Sequence, residues 1–349
     1  MPQAPDDDVT APAESPSGRR SDAARRTPPT GETVTAIESQ LRAMRTDAEQ
    51  HIAHARAEFD QANERIKQRT GRDLIVASLI GVAIGVVVIA SLIFVKWLFA
   101  FFALGAMVLA VVEFSRALQV SGRRVDVAPQ LAAGVLLLAS GFLAGLWLHW
   151  VAVLVAVAFV VVWRLTAQLH TGDGRARTEV LADVLVAAFV QLYVPFLTSM
   201  ALVLLAQDGG EWWVLAFLVL AVVADTGAYV SGLTFGRGGR HPMAPRISPK
   251  KTWEGFAGAC VAALAAGVLL AVFMLQVPWW TGLIFGAVVL ATATVGDLGE
   301  SMLKRDLGIK DMSSWLPGHG GVLDRLDSIL PSATAALAMY YLLSPLGAS

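Results

Sequence analysis

Two stretches of the chain concentrate the residue types that handle phosphate. The first, GRGGRHPMAPRISPKKTWEG at residues 236–255, carries five cations before its first acid, Glu254. Such a patch suits phosphate groups or anionic lipid headgroups. Ser248 and Thr252 add hydroxyl donors, Lys250 and Lys251 stand side by side, and the glycines let backbone amides approach a ligand. No G-x-x-x-x-G-K-[ST] is present, so this is not a P-loop.

The second stretch, ESMLKRDLGIKDMSSWLPGHGGVLDRLDS at residues 300–328, is sharper. Its Pro317-Gly318-His319-Gly320-Gly321 segment cannot remain helical, and the glycines open a backbone pocket. Asp324 and Asp327 are spaced i, i+3 and share a face if the chain re-enters a helix there. With Asp297 they make three carboxylates, the hard oxygen ligands that suit Mg²⁺ together with substrate phosphates and water. Lys304, Arg305, Lys310 and Arg325 supply countercharge. Cations beside Mg²⁺-type carboxylates, with no H-E-x-x-H, C-x-x-C or Ser-His-Asp constellation, point to phosphoryl or nucleotidyl transfer.

Those loops need a scaffold, and composition says which kind. Of 349 residues 55% are apolar and 16% charged, with a mean hydropathy of +0.59; a soluble domain carries roughly 25% charge. The chain therefore reads as an all-α polytopic membrane protein. Nine spans are expected, at 74–93, 97–116, 128–146, 149–166, 181–205, 212–232, 255–275, 279–297 and 329–346. Asp225 and Asp297 then fall near the ends of two spans, where a carboxylate is costly unless it faces protein or water.

Ahead of the spans, residues 1–33 hold six prolines among polar residues and read as a disordered tail. Residues 34–72 read as an amphipathic helix, with Ile37, Leu41, Met44, Ala48, Ile52, Ala55 and Phe59 at steps of three or four, a heptad-like seam with one extra four-residue step that is compatible with a coiled coil. Residues 73–349 form the membrane domain. The one cysteine, Cys260, lies in an apolar run and excludes a disulfide scaffold. A net charge of −1 gives no reason to invoke nucleic acid.

Lys and Arg set the orientation. With the amino terminus in the cytoplasm, the tail and the connections on that side hold 26 of the 27 cations, and only Lys96 lies beyond. Both phosphate-handling loops then face the cytoplasm, and the membrane is the cytoplasmic one.

Ser301, Lys304-Arg305, Lys310-Asp311, Pro317-Gly318-His319-Gly320-Gly321 and Asp324-Arg325-Leu326-Asp327 resemble, without a gap, the signature of the phosphatidate cytidylyltransferases, or CDP-diacylglycerol synthases. Asp225-Thr226-Gly227-Ala228-Tyr229 and Ser248-Pro249-Lys250-Lys251-Thr252-Trp253-Glu254-Gly255 are similar to further segments of that family, and the resemblance covers about residues 73–346. The basic loop departs from the pattern at Gly238-Gly239 and His241-Pro242.

The resemblance implies transfer of a cytidylyl group from CTP to phosphatidate with release of pyrophosphate, in phospholipid biosynthesis. It implies Mg²⁺ with room for a second cation, and is in keeping with a homodimer. On this reading Asp297, Asp324 and Asp327 are the metal ligands, while Lys250, Lys251, Lys304, Arg305 and Arg325 bind phosphate. Asp225 is a further metal or supporting residue. Ser248, Thr252, Lys310, His319, Gly320 and Gly321 line the substrate pocket. Two rivals stand beside it: another CTP-dependent enzyme acting on a lipid phosphate or polyprenol, and a transporter for an anionic solute. Transporters usually hold their polar groups near the bilayer midplane, whereas these acids sit near span ends.

Overall fold

The computed structural model describes residues 74–171, 174–236, 241–313 and 320–347. The expected tail at 1–33, the amphipathic helix at 34–72, and His319 lie outside the described residues, as do Arg237 and Arg240.

Apolar runs fold as helices because in lipid each backbone amide must find its partner within its own segment. In chain order these are α1 (Leu74–Phe94), α2 (Lys96–Val120), α3 (Val127–Leu143), α4 (Leu146–Thr171), α5 (Arg177–Gln191), α6 (Leu197–Leu205), α7 (Gly210–Phe235), α8 (Trp253–Leu270), α9 (Trp279–Asp306), the single turn α10 (Leu323–Leu326) and α11 (Ile329–Leu343). A π-turn at Leu192–Phe196, holding Pro195, joins α5 to α6 into one span. Pro195 has no amide to donate, and the widened turn accommodates it without ending the helix.

Among the described residues seven helices are long and apolar enough to cross a membrane, and two shorter apolar helices, Gly81–Phe94 and Val127–Leu143, stand where the first and third spans are expected. The all-α polytopic architecture holds. The third and fourth spans divide at Ala144–Gly145.

Two local features differ from the sequence reading. The basic loop is not wholly irregular: β1 (Pro242–Ala244) and β2 (Ser248–Thr252) form an antiparallel hairpin, with Pro242 opposite Thr252 and Ala244 opposite Ser248. More consequentially, α9 does not stop at Asp297 but continues to Asp306, and α7 continues to Phe235. Asp225 and Asp297 therefore sit well inside helices, and Glu300, Ser301, Lys304 and Arg305 ride on the same helix as Asp297. The polar stretch from 298 to 306 stays helical because it contains good helix formers, with Lys304 and Arg305 in the last turn complementing the helix dipole.

The interior is close-packed around Met107, Phe114, Leu204, Phe217, Phe285, Val289 and Leu323. Where α7, α8 and α9 meet, the buried positions are mostly alanine, at Ala224, Ala259 and Ala263 with Leu290, so the helix backbones approach closely. Many large side chains point outward instead, among them Phe101, Leu154, Val230, Leu233, Phe273 and Val295. Exposed apolar residues in this number are unfavourable in water and natural against acyl chains.

The two ends of the bundle are chemically distinct. At one end α2, α4, α7 and α9 begin, and Trp97, Trp147, Trp150, Trp212, Trp279 and Trp280 are all exposed there, as in an interfacial aromatic belt. Lys96 pairs with Glu211 at 2.8 Å on this end. His149, fully buried between Ser140 Oγ (2.9 Å) and Ser199 Oγ (3.3 Å), lies here too, away from any of the expected site residues. The opposite end carries the hairpin and α10.

Candidate active site

The site is assembled from the ends of α2, α7 and α9, the hairpin, and α10. Its first part is a carboxylate cluster. Asp297 on α9 forms an ion pair with Lys251 on β2. Asp327, just after α10, feels the charges of Asp297 and Asp225, and Asp225 in turn feels those of Asp297, Lys251 and Arg325. Ser328 Oγ donates to Asp225 Oδ2 at 3.5 Å. These contacts bring α7, α9, the hairpin and the start of α11 onto one small region.

Gly296 makes that convergence possible. A Cβ built there would lie 2.2 Å from the carbonyl oxygen of Asp327, so only a residue without a side chain lets the two segments touch.

The second part is a clamp on the glycine-rich segment. Asp324 Oδ2 accepts the amides of Gly321 (2.7 Å) and Met312 (3.1 Å), and its Oδ1 accepts from Lys304 Nζ at 2.9 Å. Glu113, buried on α2, accepts through Oε1 from Ser313 Oγ (2.6 Å) and the Val322 amide (3.0 Å), and through Oε2 from the Leu323 amide (3.0 Å). Two carboxylates thus gather donors from both flanks of residues 314–319. Gly320 has φ +80°, a backbone conformation that side chains disfavour, and a Cβ at Gly321 would stand 2.7 Å from Glu113 Oε2. Lys304 completes the clamp, lying 3.2 Å from buried Glu300 as well as on Asp324.

The residues expected from sequence separate accordingly. Asp225, Asp297, Asp327 and Lys251 come together, as do Lys304 and Asp324. Asp324 and Asp327 have different hydrogen-bond partners: Asp324 accepts from Lys304 and the loop amides, Asp327 from its own neighbour, the Ser328 amide, at 2.7 Å, while Lys304 lies near enough to act on both charges. Thr252 caps α8, its Oγ1 accepting the Gly255 amide at 3.1 Å. Arg305 Nε donates to the Ile247 carbonyl at 3.2 Å and ties α9 to the hairpin turn, while Ser248 stands on β2 opposite Ala244. Lys250, Lys310 and Arg325 are exposed on this end. Glu113 and Glu300 were not singled out by sequence, although an acid inside an apolar span is a signal in itself.

The donor set fits a hard dication. Asp225, Asp297 and Asp327 offer only oxygen, and their mutual repulsion is relieved by any cation among them. Among the described residues no three such groups converge tightly enough to enclose an ion alone, and Mg²⁺ typically takes one or two carboxylates together with substrate phosphate and water. Both oxygens of Asp324 already accept hydrogen bonds, and those of Asp297 are engaged by Lys251 and Ser301, so a cation would compete with protein donors at either residue.

Comparison with known proteins gives this geometry its context. A family model described as cytidylyltransferase family matches residues 75–343. The chain belongs to the cytidylyltransferase family. A phosphatidate cytidylyltransferase of Mycobacterium bovis is 38% identical over 288 residues, covering 79% of this chain and 90% of the relative. That of Mycobacterium leprae is 36% identical over 291 residues, with the same coverage of each. A third, from Pseudomonas aeruginosa, is 43% identical over 129 residues, covering 36% of this chain and 45% of the relative. The family match spans α1 to α11 and so contains every described part of the site.

Proposed function

We propose that the chain transfers the cytidylyl group of CTP to phosphatidate, giving CDP-diacylglycerol and pyrophosphate. The observation that carries this reading is the meeting of Asp225, Asp297 and Asp327 with Lys251 beside a clamped glycine-rich segment, in a chain of this family. A phosphate oxygen of phosphatidate attacks the α-phosphorus of CTP in line. The bond from that phosphorus to the bridging oxygen breaks, and pyrophosphate leaves with the electron pair. Both reactants are strongly anionic, so their repulsion must be offset before attack.

The chain's own residues have separable tasks. Lys251, Lys250, Lys310 and Arg325 face phosphate oxygens with positive charge. Asp297 and Asp327, with Asp225 beside them, would hold Mg²⁺, which when bound would supply charge stabilisation for the transfer. Glu113, Asp324 and Lys304 fix the flanks of the glycine-rich segment. No strong general base is needed, because a phosphomonoester is largely a dianion near neutral pH.

Asp225 lies on an exposed stripe of α7 with Val222, Tyr229 and Leu233. An apolar flank beside the carboxylates suits a substrate whose acyl chains stay in the bilayer while its phosphate reaches the site. By the distribution of Lys and Arg, the amino terminus and this end of the bundle face the cytoplasm, where CTP arrives from water, and the membrane is the cytoplasmic membrane.

The test is to incubate the purified chain with Mg²⁺, phosphatidate and CTP labelled in the α-phosphate. Labelled CDP-diacylglycerol with equimolar pyrophosphate is expected. An unlabelled lipid product with the label left in CDP would identify a CTP-dependent lipid kinase and sink the proposal.

A further inference from the structure

The π-turn at Leu192–Phe196 lies in a span that contributes no residue to the site described above, yet one of its side chains is built toward that site. Single π-turns within helices are frequent at functional positions. Tyr193 sits on this one, its ring stacked on Phe189 (centroids 5.4 Å apart, planes 11° apart) and met edge-on by fully buried Phe114 (6.0 Å, 70°). Phe114 follows Glu113, the acceptor for the Val322 and Leu323 amides. Two rings thus fix the ring of Tyr193, and its hydroxyl reaches toward α9 and α10, where it feels the charge of Glu300 first and those of Asp327 and Asp297 after it.

That hydroxyl is buried and has no hydrogen-bond partner among the described residues. Glu300 is in the complementary condition. It is 1% exposed, its Oε1 lies 3.2 Å from Lys304 Nζ, and its Oε2 is buried with no hydrogen-bond partner among the described residues. A phenol can donate, whereas a carboxylate only accepts, and a polar group left unmet in the interior costs free energy. A buried donor and a buried acceptor within electrostatic reach of each other are a pair that a small shift of either side chain closes.

Glu300 stands between two functional positions on one face of α9, three residues after Asp297 and four before Lys304. Lys304 in turn holds Asp324. We infer that Tyr193 is a positioning residue of the active site: its hydroxyl donates to Glu300, and through Glu300 it holds Lys304 on Asp324 and steadies the flank of the glycine-rich segment. Tyr193 touches no reacting atom. As a role in catalysis this rests on the cytidylyl transfer proposed above; as a mechanical link it does not.

The experiment follows amide hydrogen exchange by mass spectrometry in the purified full chain in detergent, at the peptide covering residues 320–326. Tyr193→Phe removes one oxygen and keeps the ring packing. It should speed exchange in that peptide about tenfold or more, the equivalent of one hydrogen bond to a charged group, while residues 197–205 of its own span exchange as in the wild type. Glu300→Met keeps the volume and removes both acceptors; it should speed the same peptide, and Tyr193→Phe added to it should change nothing further. Glu300→Gln retains one acceptor oxygen, so in that background Tyr193→Phe should keep most of its effect, an arm that still decides the matter should Glu300→Met fold poorly. Tyr341→Phe, which loses a hydroxyl bonded to Gln207 Oε1 at the far end of the bundle, is the control and should leave the peptide unchanged.

Unchanged exchange at 320–326 in Tyr193→Phe overturns the inference. So does faster exchange confined to the span of Tyr193, which makes it a packing residue, and so does an undiminished effect in the Glu300→Met background, which routes it through another group. Turnover of the same preparations supplies the catalytic half: kcat should fall about tenfold in Tyr193→Phe, and an unchanged kcat beside altered exchange removes Tyr193 from catalysis. A wild type that makes no CDP-diacylglycerol sinks the proposed function instead, while the exchange result still decides the link between Tyr193 and Glu300.

Discussion

Glu113 Oε2 accepts the Leu323 amide at 3.0 Å, linking α2 to the turn that opens α10 across 210 residues of sequence. All three donors that Glu113 meets, one hydroxyl and two amides, require an acceptor. A carboxylate is acceptor-only and satisfies them together. The glycine-rich segment is therefore positioned by a residue distant from both phosphate-handling stretches, and in a part of the chain that otherwise reads as plain membrane span.

Replacing Glu113 by Gln keeps the shape but turns one acceptor into a donor facing a donor. Hydrogen bonds to charged groups are worth about 1.5–3 kcal/mol, and each ~1.4 kcal/mol of barrier is tenfold in rate, so kcat should fall about 10- to 100-fold. Steady-state kinetics in mixed micelles, beside thermal melting of the same preparation, check this. A lowered melting temperature with unchanged kcat in the folded fraction would make Glu113 a structural residue only.

Gly296 and Gly299 offer an internal comparison on one helix. A methyl group at 296 collides with the Asp327 carbonyl, while at 299 a Cβ meets nothing within 4 Å. Gly296→Ala should push Asp327 away from Asp297 and cost about tenfold or more in turnover, since misplacement by an ångström costs up to about 100-fold. Gly299→Ala should stay within about twofold, helped if anything by its better helix propensity. Equal activity of the two variants would detach the α9–α11 approach from catalysis.

Much of this arrangement was open to reading from sequence, and the failures have a common origin. The spans, the two phosphate-handling stretches and the glycine-rich segment follow from hydropathy and residue type, whereas the pairing of Lys251 with Asp297 does not. The end of α9 did not, because hydropathy falls at Asp297 while the helix runs on to Asp306; a polar stretch of strong helix formers ends an apolar run without ending a helix. The i, i+3 spacing of Asp324 and Asp327 places both on helical backbone, but does not reveal that Asp324 takes Lys304 and the loop amides while Asp327 accepts the Ser328 amide. Thr252, expected to line the substrate pocket, also caps α8, a role that its position before Trp253-Glu254-Gly255 suits.

Topology is open to direct labelling. In a Cys260→Ser background, a cysteine at Ser313 should be shielded from a membrane-impermeant maleimide in intact cells and labelled after permeabilisation. A cysteine at Ser349 should react without it. The expectation rests on 26 of 27 cations falling on one side. Shielding of both positions would mean an even number of crossings and reverse part of the bundle.

The carboxylates give the sharpest test, because two roles are assigned to neighbours in sequence. Asn in place of a metal-binding Asp keeps size and one oxygen but removes the charge a hard dication prefers, so Asp297→Asn and Asp327→Asn should each lose at least ~10²-fold in rate and need more Mg²⁺ to reach their maximum. Asp225→Asn, beside them, should shift the Mg²⁺ requirement in the same direction. Asp324→Asn should differ in kind: its partners are Lys304 and two amides, so it should lose turnover and thermal stability while its Mg²⁺ dependence stays that of the wild type. Asp208→Asn, at the far end of the bundle, serves as the control. Cytidylyl transfer measured across a Mg²⁺ titration separates the two groups. If Asp297→Asn and Asp327→Asn turn over normally at wild-type Mg²⁺, the carboxylate site is wrong even for an enzyme that makes CDP-diacylglycerol; if Asp324→Asn shifts with them, Asp324 is a ligand and the clamp rests on Glu113 alone.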